Sequence, residues 1–268
     1  MVIIVSSEFT PPVRRVNSGR GHRYEDAHGR KVPGVTTVIS SGVPKPALIN
    51  WAARVTAAYA VDYWDELAEL PVSERLTRLE KARFGERDEA ARRGTQVHSL
   101  AERLVHGEEV DVPEALAGHV RAYVDFLDQW RVQPVLAEFV VASHRHGYAG
   151  TADLLAYLDD PDEPGRAVPW LLDIKTSQGV WGETALQLAA YRYADVYRAA
   201  DGTELPVPEV ERTGVVHVLG DGYQLVPVVA GRAQHRTFLY AQQIAAFVDT
   251  AKELVGEPLT PPRTLEAA

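Results

Sequence analysis

Two apolar runs near the middle of the chain carry charges where apolar side chains are expected. The runs Tyr148-Ala-Gly-Thr-Ala-Asp-Leu-Leu-Ala-Tyr-Leu158 and Trp170-Leu-Leu-Asp-Ile-Lys-Thr176 read as buried strands. Asp153 interrupts the first, and Asp173 and Lys175 interrupt the second. A buried charge is costly unless it is paired or bound to a metal ion, so any fold for this chain must bring these groups to partners.

Asp173 and Lys175 are two residues apart, so on a strand both side chains leave one face while Leu172, Ile174 and Thr176 leave the other. The turn-forming residues between Asp159 and Gly165 suit an antiparallel hairpin that brings Asp153 alongside. Two converging carboxylates repel each other, and a divalent cation is the natural way to keep both ionised. Oxygen ligands favour Mg²⁺ or Mn²⁺ over zinc. Of the 28 basic residues only Lys31, Lys45, Lys81, Lys175 and Lys252 are lysine. With Arg the default cation, a Lys at position 175 suggests that a compact, rotatable ammonium is needed, to orient a water or to neutralise charge on a phosphate. The alternative is that Lys175 does no more than neutralise Asp173.

Gly150-Thr151-Ala152-Asp153, followed by Asp173-Ile174-Lys175-Thr176 and by Gln187 and Tyr191 four apart, resembles the signature of the PD-(D/E)XK nuclease superfamily. More narrowly it resembles the RecB-like branch, which includes CRISPR-associated adaptation exonucleases and phage recombination exonucleases. Val32 to Ile39 is similar to a segment often seen near the start of such nucleases. Gly94 and His98 match the Gly-x-x-x-His that these nucleases carry in the helix before the catalytic strands. The resemblance implies an α/β, restriction-endonuclease-like core with a mixed central sheet flanked by helices. It implies metal ligands at Asp153, Asp173 and His98, with Glu138 as a further ligand or supporting carboxylate. Lys175 and Gln187 would serve catalysis, and Gln187 and Tyr191 would border the metal site and touch substrate. The implied activity is Mg²⁺- or Mn²⁺-dependent hydrolysis of DNA, most plausibly from an end. A structure-selective endonuclease and a non-catalytic DNA-binding protein on the same fold are the alternatives.

Composition bears on these expectations. The chain has no cysteine, which excludes disulfides and an iron-sulfur cluster and departs from relatives that carry one. The net charge of −9 does not advertise a nucleic-acid binder. Local sign matters more. Arg75, Arg78, Lys81, Arg83, Arg87, Arg92 and Arg93 crowd one helical stretch, and Arg14, Arg15, Arg20, Arg23, Arg30 and Lys31 crowd the N-terminal segment. Either could track a phosphate backbone, with Arg92 and Arg93 nearest the His motif. Glu74, Glu80, Glu86, Asp88 and Glu89 interleave with the first cluster, which equally suits a solvated helix. No run is long enough to span a bilayer, and Met1-Val-Ile-Ile-Val5 lacks the flanks of a signal peptide, so a cytoplasmic protein is expected.

The remaining elements follow from spacing and punctuation. Met1 to Val5 predicts a short strand, and His22–Glu25 with Arg30–Val32 a small hairpin. Helices are predicted from Ala47 to Tyr59, from a Ser73 cap toward His106 with Gly107 at its end, and from Leu116 to Trp130. A helix from Glu183 to about Ala200 would put Tyr193 and Tyr197 on one face. Val215–Leu219 and Tyr223–Val229 predict a hairpin, and Arg236–Leu254 a closing amphipathic helix. Glu102 shares the His98 face. His144 and His146 sit on a polar turn that argues against a metal pair. Residues 1–132 thus form a hairpin and helical region carrying the His motif. Residues 133–256 form the core and 257–268 a disordered tail.

Overall fold

The hairpin predicted around Asp159 to Gly165 forms the centre of a seven-stranded mixed sheet. The computed structural model describes residues 10–260 apart from 20 and 164, and leaves undescribed the side chains of 18, 86, 87, 89 and 90. The expected strand at Met1 to Val5 and the end of the expected disordered tail, 261–268, lie outside the described residues, as do Arg20 and the side chain of Arg87.

The N-terminal strands β1 (Arg14–Ser18), β2 (Gly21–Glu25) and β3 (Lys31–Val32) form a small antiparallel sheet. The helices α1 (Val35–Gly42), α2 (Pro46–Asp62), α3 (Trp64–Ala68) and α4 (Val72–Val105) follow. A 3-10 turn at Glu114–Leu116 leads into α5 (Ala117–Gln129). The main sheet then builds from β4 (Gln133–Ser143), β5 (Tyr148–Asp159) and β6 (Ala167–Lys175). After α6 (Thr184–Arg192) come β7 (Val196–Arg198), β8 (Glu204–Pro206), β9 (Arg212–Val218), β10 (Tyr223–Pro227) and α7 (Arg232–Thr250). The spatial order is β10-β9-β6-β5-β4-β7-β8, and only the β6–β9 pair is parallel. A parallel pair cannot be closed by a tight turn, and the segment carrying α6, β7 and β8 supplies the crossover.

With a strand periodicity of two, β5 and β6 carry apolar side chains on both faces because the sheet is covered on both. Leu155 and Leu171 point into a cluster with Val35, Ile39, Leu188 and Phe238 from α1, α6 and α7. Leu154 and Leu172 point the other way, against Ala101 of α4 and Tyr123 and Phe126 of α5. Each fully buried side chain of this size contributes about 1.5–3 kcal/mol. By contrast α2 buries no residue at all, and α4, about 50 Å long at 1.5 Å per residue, buries among its described side chains Val97 and Ala101, both near its C-terminal end.

Three expectations are corrected. The long helix starts after Pro71, with Ser73 inside it. Its start is secured instead by Arg75, which donates to the carbonyls of Leu67, Ala68 and Leu70. The helix from Glu183 ends at Arg192, because the following residues complete the β4 edge, with Val141 opposite Tyr197. Tyr193 and Tyr197 therefore do not share a helix face. Finally, β1, for which the sequence predicted no strand, pairs with β2.

Candidate metal centre

Strand register places the first two acids. Asp153 lies one step past the Leu154–Leu172 pair, and the same step on β6 reaches Asp173, so the two face each other across the hairpin. On its other side Asp153 faces Glu138, between the pairs Ala137–Leu154 and Phe139–Ala152. Three neighbouring strands thus carry Glu138, Asp153 and Asp173 at one level. Asp173 is buried, and Asp153 accepts a hydrogen bond from the backbone N–H of Ile174 at 2.7 Å.

The fourth group comes from α4. His98 Nε2 is 2.9 Å from the carbonyl oxygen of Ile174. A carbonyl only accepts, so Nε2 carries the proton and Nδ1 is the nitrogen turned to the carboxylates. Nδ1 lies 3.3 Å from Glu138 Oε1 and 3.6 Å from Asp153 Oδ2. Among the described residues His98, Glu138 and Asp153 form the one group of donor atoms close enough for a single cation, all within 4.8 Å of one another.

This set is short of positive charge. Burial pushes the Asp153 carboxyl up to about 7, with Asp173 adding to the rise and His98 opposing it. Burial alone would lower His98, but Asp153 and Glu138 outweigh it and hold the imidazole up at about 9. A proton on Nδ1 is then the local counter-charge. One imidazole nitrogen and two carboxylates fit a divalent cation that would take that proton's place, and the Ile174 carbonyl fixes the ring as outer partners of metal-bound histidines do. Glu138 is also held at φ +46°. A left-handed backbone at a residue other than glycine costs on the order of 1–3 kcal/mol, and here it accompanies a side chain aimed at the site.

Asp173, Lys175 and Gln187 form an adjoining arrangement. Lys175 Nζ lies 3.0 Å from Asp173 Oδ1 and 2.8 Å from Oδ2, and Gln187 Nε2 donates to Oδ1 at 2.7 Å. The Nζ–Oδ2 approach is an ion pair without hydrogen-bond alignment, so the buried Oδ2 has no hydrogen-bond partner. Burial opposes the charge on Lys175, but Asp173 and Asp153 raise its pKa, so it remains a cation. Gln187 also donates to the Tyr191 hydroxyl at 3.2 Å, and burial keeps that phenol neutral.

Two glycines of the sequence pattern differ in what they must be. A methyl group on Gly150 would sit 2.4 Å from Tyr191 Cε1, so only glycine lets that ring in. A methyl group on Gly94 would meet Thr176 Oγ1 at 3.5 Å, ordinary contact, so α4 needs a small residue there and not glycine itself.

Other candidates lie elsewhere. Glu102 is exposed and outside the donor set. His144 bonds Glu204 at 2.8 Å, and the His146 ring packs edge-on against His235. Arg92 is exposed, its Nε donating to the Asp88 carbonyl, while Arg93 is half-buried. Much of the basic clustering is internally answered: Arg78 pairs with Glu74, Arg14 and Arg23 with Glu25, and Arg30 with Asp26.

Sequence reasoning missed the neighbours supplied by the small sheet. Arg15 reaches within 3.8 Å of Glu138, and the Tyr24 hydroxyl bonds Thr151 at 2.8 Å and His22 at 3.1 Å. It also missed Trp181, a large exposed aromatic midway between Lys175 and Gln187. A tryptophan between Gly179 and Gly182 was the available signal. No protein-family model matches the chain, and no curated protein matches it significantly. Among the described residues no helix is long and apolar enough to cross a membrane.

Proposed function

We propose that this chain is a metal-dependent nuclease of the restriction-endonuclease-like type, acting on DNA from an end, in the cytoplasm. The observation that carries the reading is the juxtaposition of two sets. A charge-deficient donor set of His98, Glu138 and Asp153 adjoins Asp173, whose carboxylate is engaged by Lys175 and Gln187. Binding alone would not require both a cation-seeking cluster and a buried ammonium beside it.

His98 Nδ1, Asp153 and Glu138 would hold a Mg²⁺ or Mn²⁺ ion, with Asp173, expected from the sequence as a further ligand, outside that donor set and engaged by Lys175 and Gln187. When bound, such an ion supplies Lewis acidity toward the phosphoryl group and makes water acidic enough to attack at neutral pH. Lys175, held as a cation, would orient that water or neutralise charge growing on the phosphoryl oxygens. Gln187 fixes the Asp173 carboxylate that holds Lys175, and Tyr191, packed against Gly150, fixes Gln187. The preference for an end rests on the sequence resemblance.

The test is incubation of the purified protein with Mn²⁺ and end-labelled linear DNA beside closed circles. Loss of linear DNA alone supports the reading. Cutting of circles assigns an endonuclease, and binding without cutting in Mn²⁺ overturns the hydrolytic role.

A further inference from the structure

The small N-terminal sheet is fastened beside the donor set. The Tyr24 hydroxyl bonds Thr151 Oγ1 at 2.8 Å, and the Ala149 N–H donates to the Pro33 carbonyl at 2.9 Å, so β2 and the chain just after β3 are both tied to the first half of β5. Thr151 and Asp153 leave the same face of β5, roughly 6.6 Å apart at 3.3 Å per residue. Arg15 stands directly opposite Tyr24 in the register of β1 and β2, so their side chains share the face turned to β5.

That placement brings a guanidinium to the donor set. Arg15 Nη1 lies 3.8 Å from Glu138 Oε2, while His98 Nδ1 lies 3.3 Å from the other oxygen, Oε1. In the same region Arg14 and Arg23 donate to Glu25, and Arg30 to Asp26. The Arg15 guanidinium makes no hydrogen bond among the described residues; at 3.8 Å its contact is an ion pair only, and its N–H donors are left for another acceptor. Its side chain is 35% exposed, and those of Lys175 and His98 are 30% and 29%, so each can be reached from solvent. Because β5 lies between β6 and β4, the row Asp173, Asp153, Glu138 has Lys175 at one end and Arg15 at the other. A phosphate set over the middle of that row would meet a cation on either side.

We propose that Arg15 is a substrate-binding residue of this centre, donating to a non-bridging oxygen of the phosphate at the ion and giving up Glu138 to do so. The inference rests on the nuclease reading and deepens it. A guanidinium matches the paired oxygens of a phosphate, and an ion on Glu138 would weaken that carboxylate's hold on Arg15. The contact would recognise phosphate and not base, so it would be independent of sequence.

The test uses a short fluorescent single-stranded DNA in a Lys175→Ala background, so that cleavage does not consume the probe. Anisotropy titrations compare Arg15→Gln, Arg15→Lys and Arg14→Gln with that parent, in Mn²⁺ and in EDTA, and calorimetry gives the Mn²⁺ affinity of each without DNA. Arg15→Gln should weaken DNA binding about tenfold in Mn²⁺ and by no more than about twofold in EDTA, where Glu138 still engages Arg15. In Mn²⁺ its slope of log affinity against log salt should be smaller by about one. Its Mn²⁺ affinity should be unchanged or a few-fold tighter, because a cation next to Glu138 is gone; retained metal binding also shows that the variant is folded. Arg15→Lys should recover part of the DNA affinity, and Arg14→Gln, on the opposite face of β1, should match the parent. A parallel loss of Mn²⁺ and DNA affinity would make Arg15 a support for Glu138, and an equal DNA loss with and without Mn²⁺ would make it a contact remote from the ion. Either result overturns the proposal, as does an Arg15→Gln that binds DNA as Arg14→Gln does. If the chain with Lys175 intact does not cut DNA while the Arg15- and Mn²⁺-dependent binding is seen, the contact is supported and the hydrolytic reading is overturned. A chain that binds no DNA overturns both.

Discussion

The two halves of the candidate centre are built on opposite electrostatic terms. Asp173, Lys175 and Gln187 come from one strand and the helix that follows it, and they satisfy one another: the carboxylate has an ammonium and an amide within 3.0 Å. His98, Glu138 and Asp153 come from α4, β4 and β5, and they do not. Their own cation is a proton on an imidazole, Asp153 is pushed up to about 7 by burial, and Glu138 sits on a strained backbone. A closed charge set holds its shape without help, whereas an open one holds its shape for something that arrives. On that contrast the proposed function gives the reaction to the first half and the ion to the second.

The largest effects should separate the halves. Asp153→Asn keeps the shape but removes the charge, and should lower Mn²⁺ affinity at least tenfold to a hundredfold and cleavage about a thousandfold. Lys175→Ala should lower cleavage at saturating Mn²⁺ by about 10²–10³ while leaving Mn²⁺ affinity within a few-fold. Calorimetric Mn²⁺ titration of both variants breaks the contrast if Lys175→Ala loses the metal as Asp153→Asn does.

Glu138→Gly sharpens it. Glycine relieves the left-handed backbone, a gain of about 1–3 kcal/mol, against about 1 kcal/mol for the looser unfolded chain. Thermal unfolding should therefore be unchanged or improved while Mn²⁺ affinity falls about tenfold. A variant that loses stability in proportion to its metal affinity would make Glu138 a structural residue. Gly150→Ala acts on the closed half, since its methyl group would press on Tyr191. It should cost about 1–3 kcal/mol in denaturant unfolding and lower turnover without changing Mn²⁺ affinity.

The smallest effect is remote. His235 donates from Nε2 to the Tyr148 hydroxyl, which itself donates to the Ala190 carbonyl. Burial, with His146 and Arg232, lowers its pKa to about 4. The unfolded imidazole binds a proton near pH 6.5 and the folded one does not, so stability is full above that pH. It declines as pH falls from about 6.5 to about 4, by about 1–2 kcal/mol after allowance for screening. His235→Phe should flatten that decline in urea titrations and leave cleavage unaltered.

What was legible in the sequence divides along the same line. Asp153, Asp173 and Lys175 announced themselves because strand periodicity is local and a charge in an apolar run violates it. The Gln187–Tyr191 spacing on a helix was equally local. Gly150 was readable as part of a pattern, but its reason, room for the Tyr191 ring, is a contact between segments 41 residues apart. The place of Glu138 in the donor set depended on register across β4 and β5 and on an unusual backbone angle, neither of which composition encodes. Arg15 and Tyr24 arrive on a sheet whose first strand lies in a stretch rich in arginine, with little apolar alternation to betray it. The helix after Glu183 was read too long because its sequence stays compatible with helix. The unpaired edge of β4 decides otherwise.

The most direct test is anomalous diffraction from crystals soaked in Mn²⁺. The open half should show a peak about 2.0–2.3 Å from His98 Nδ1 and from oxygens of Asp153 and Glu138, with Lys175 still beside Asp173. No peak there, or a peak only at surface carboxylates while His98 keeps its hydrogen bonds to Glu138 and Ile174, would contradict the assignment of this cluster as a metal centre.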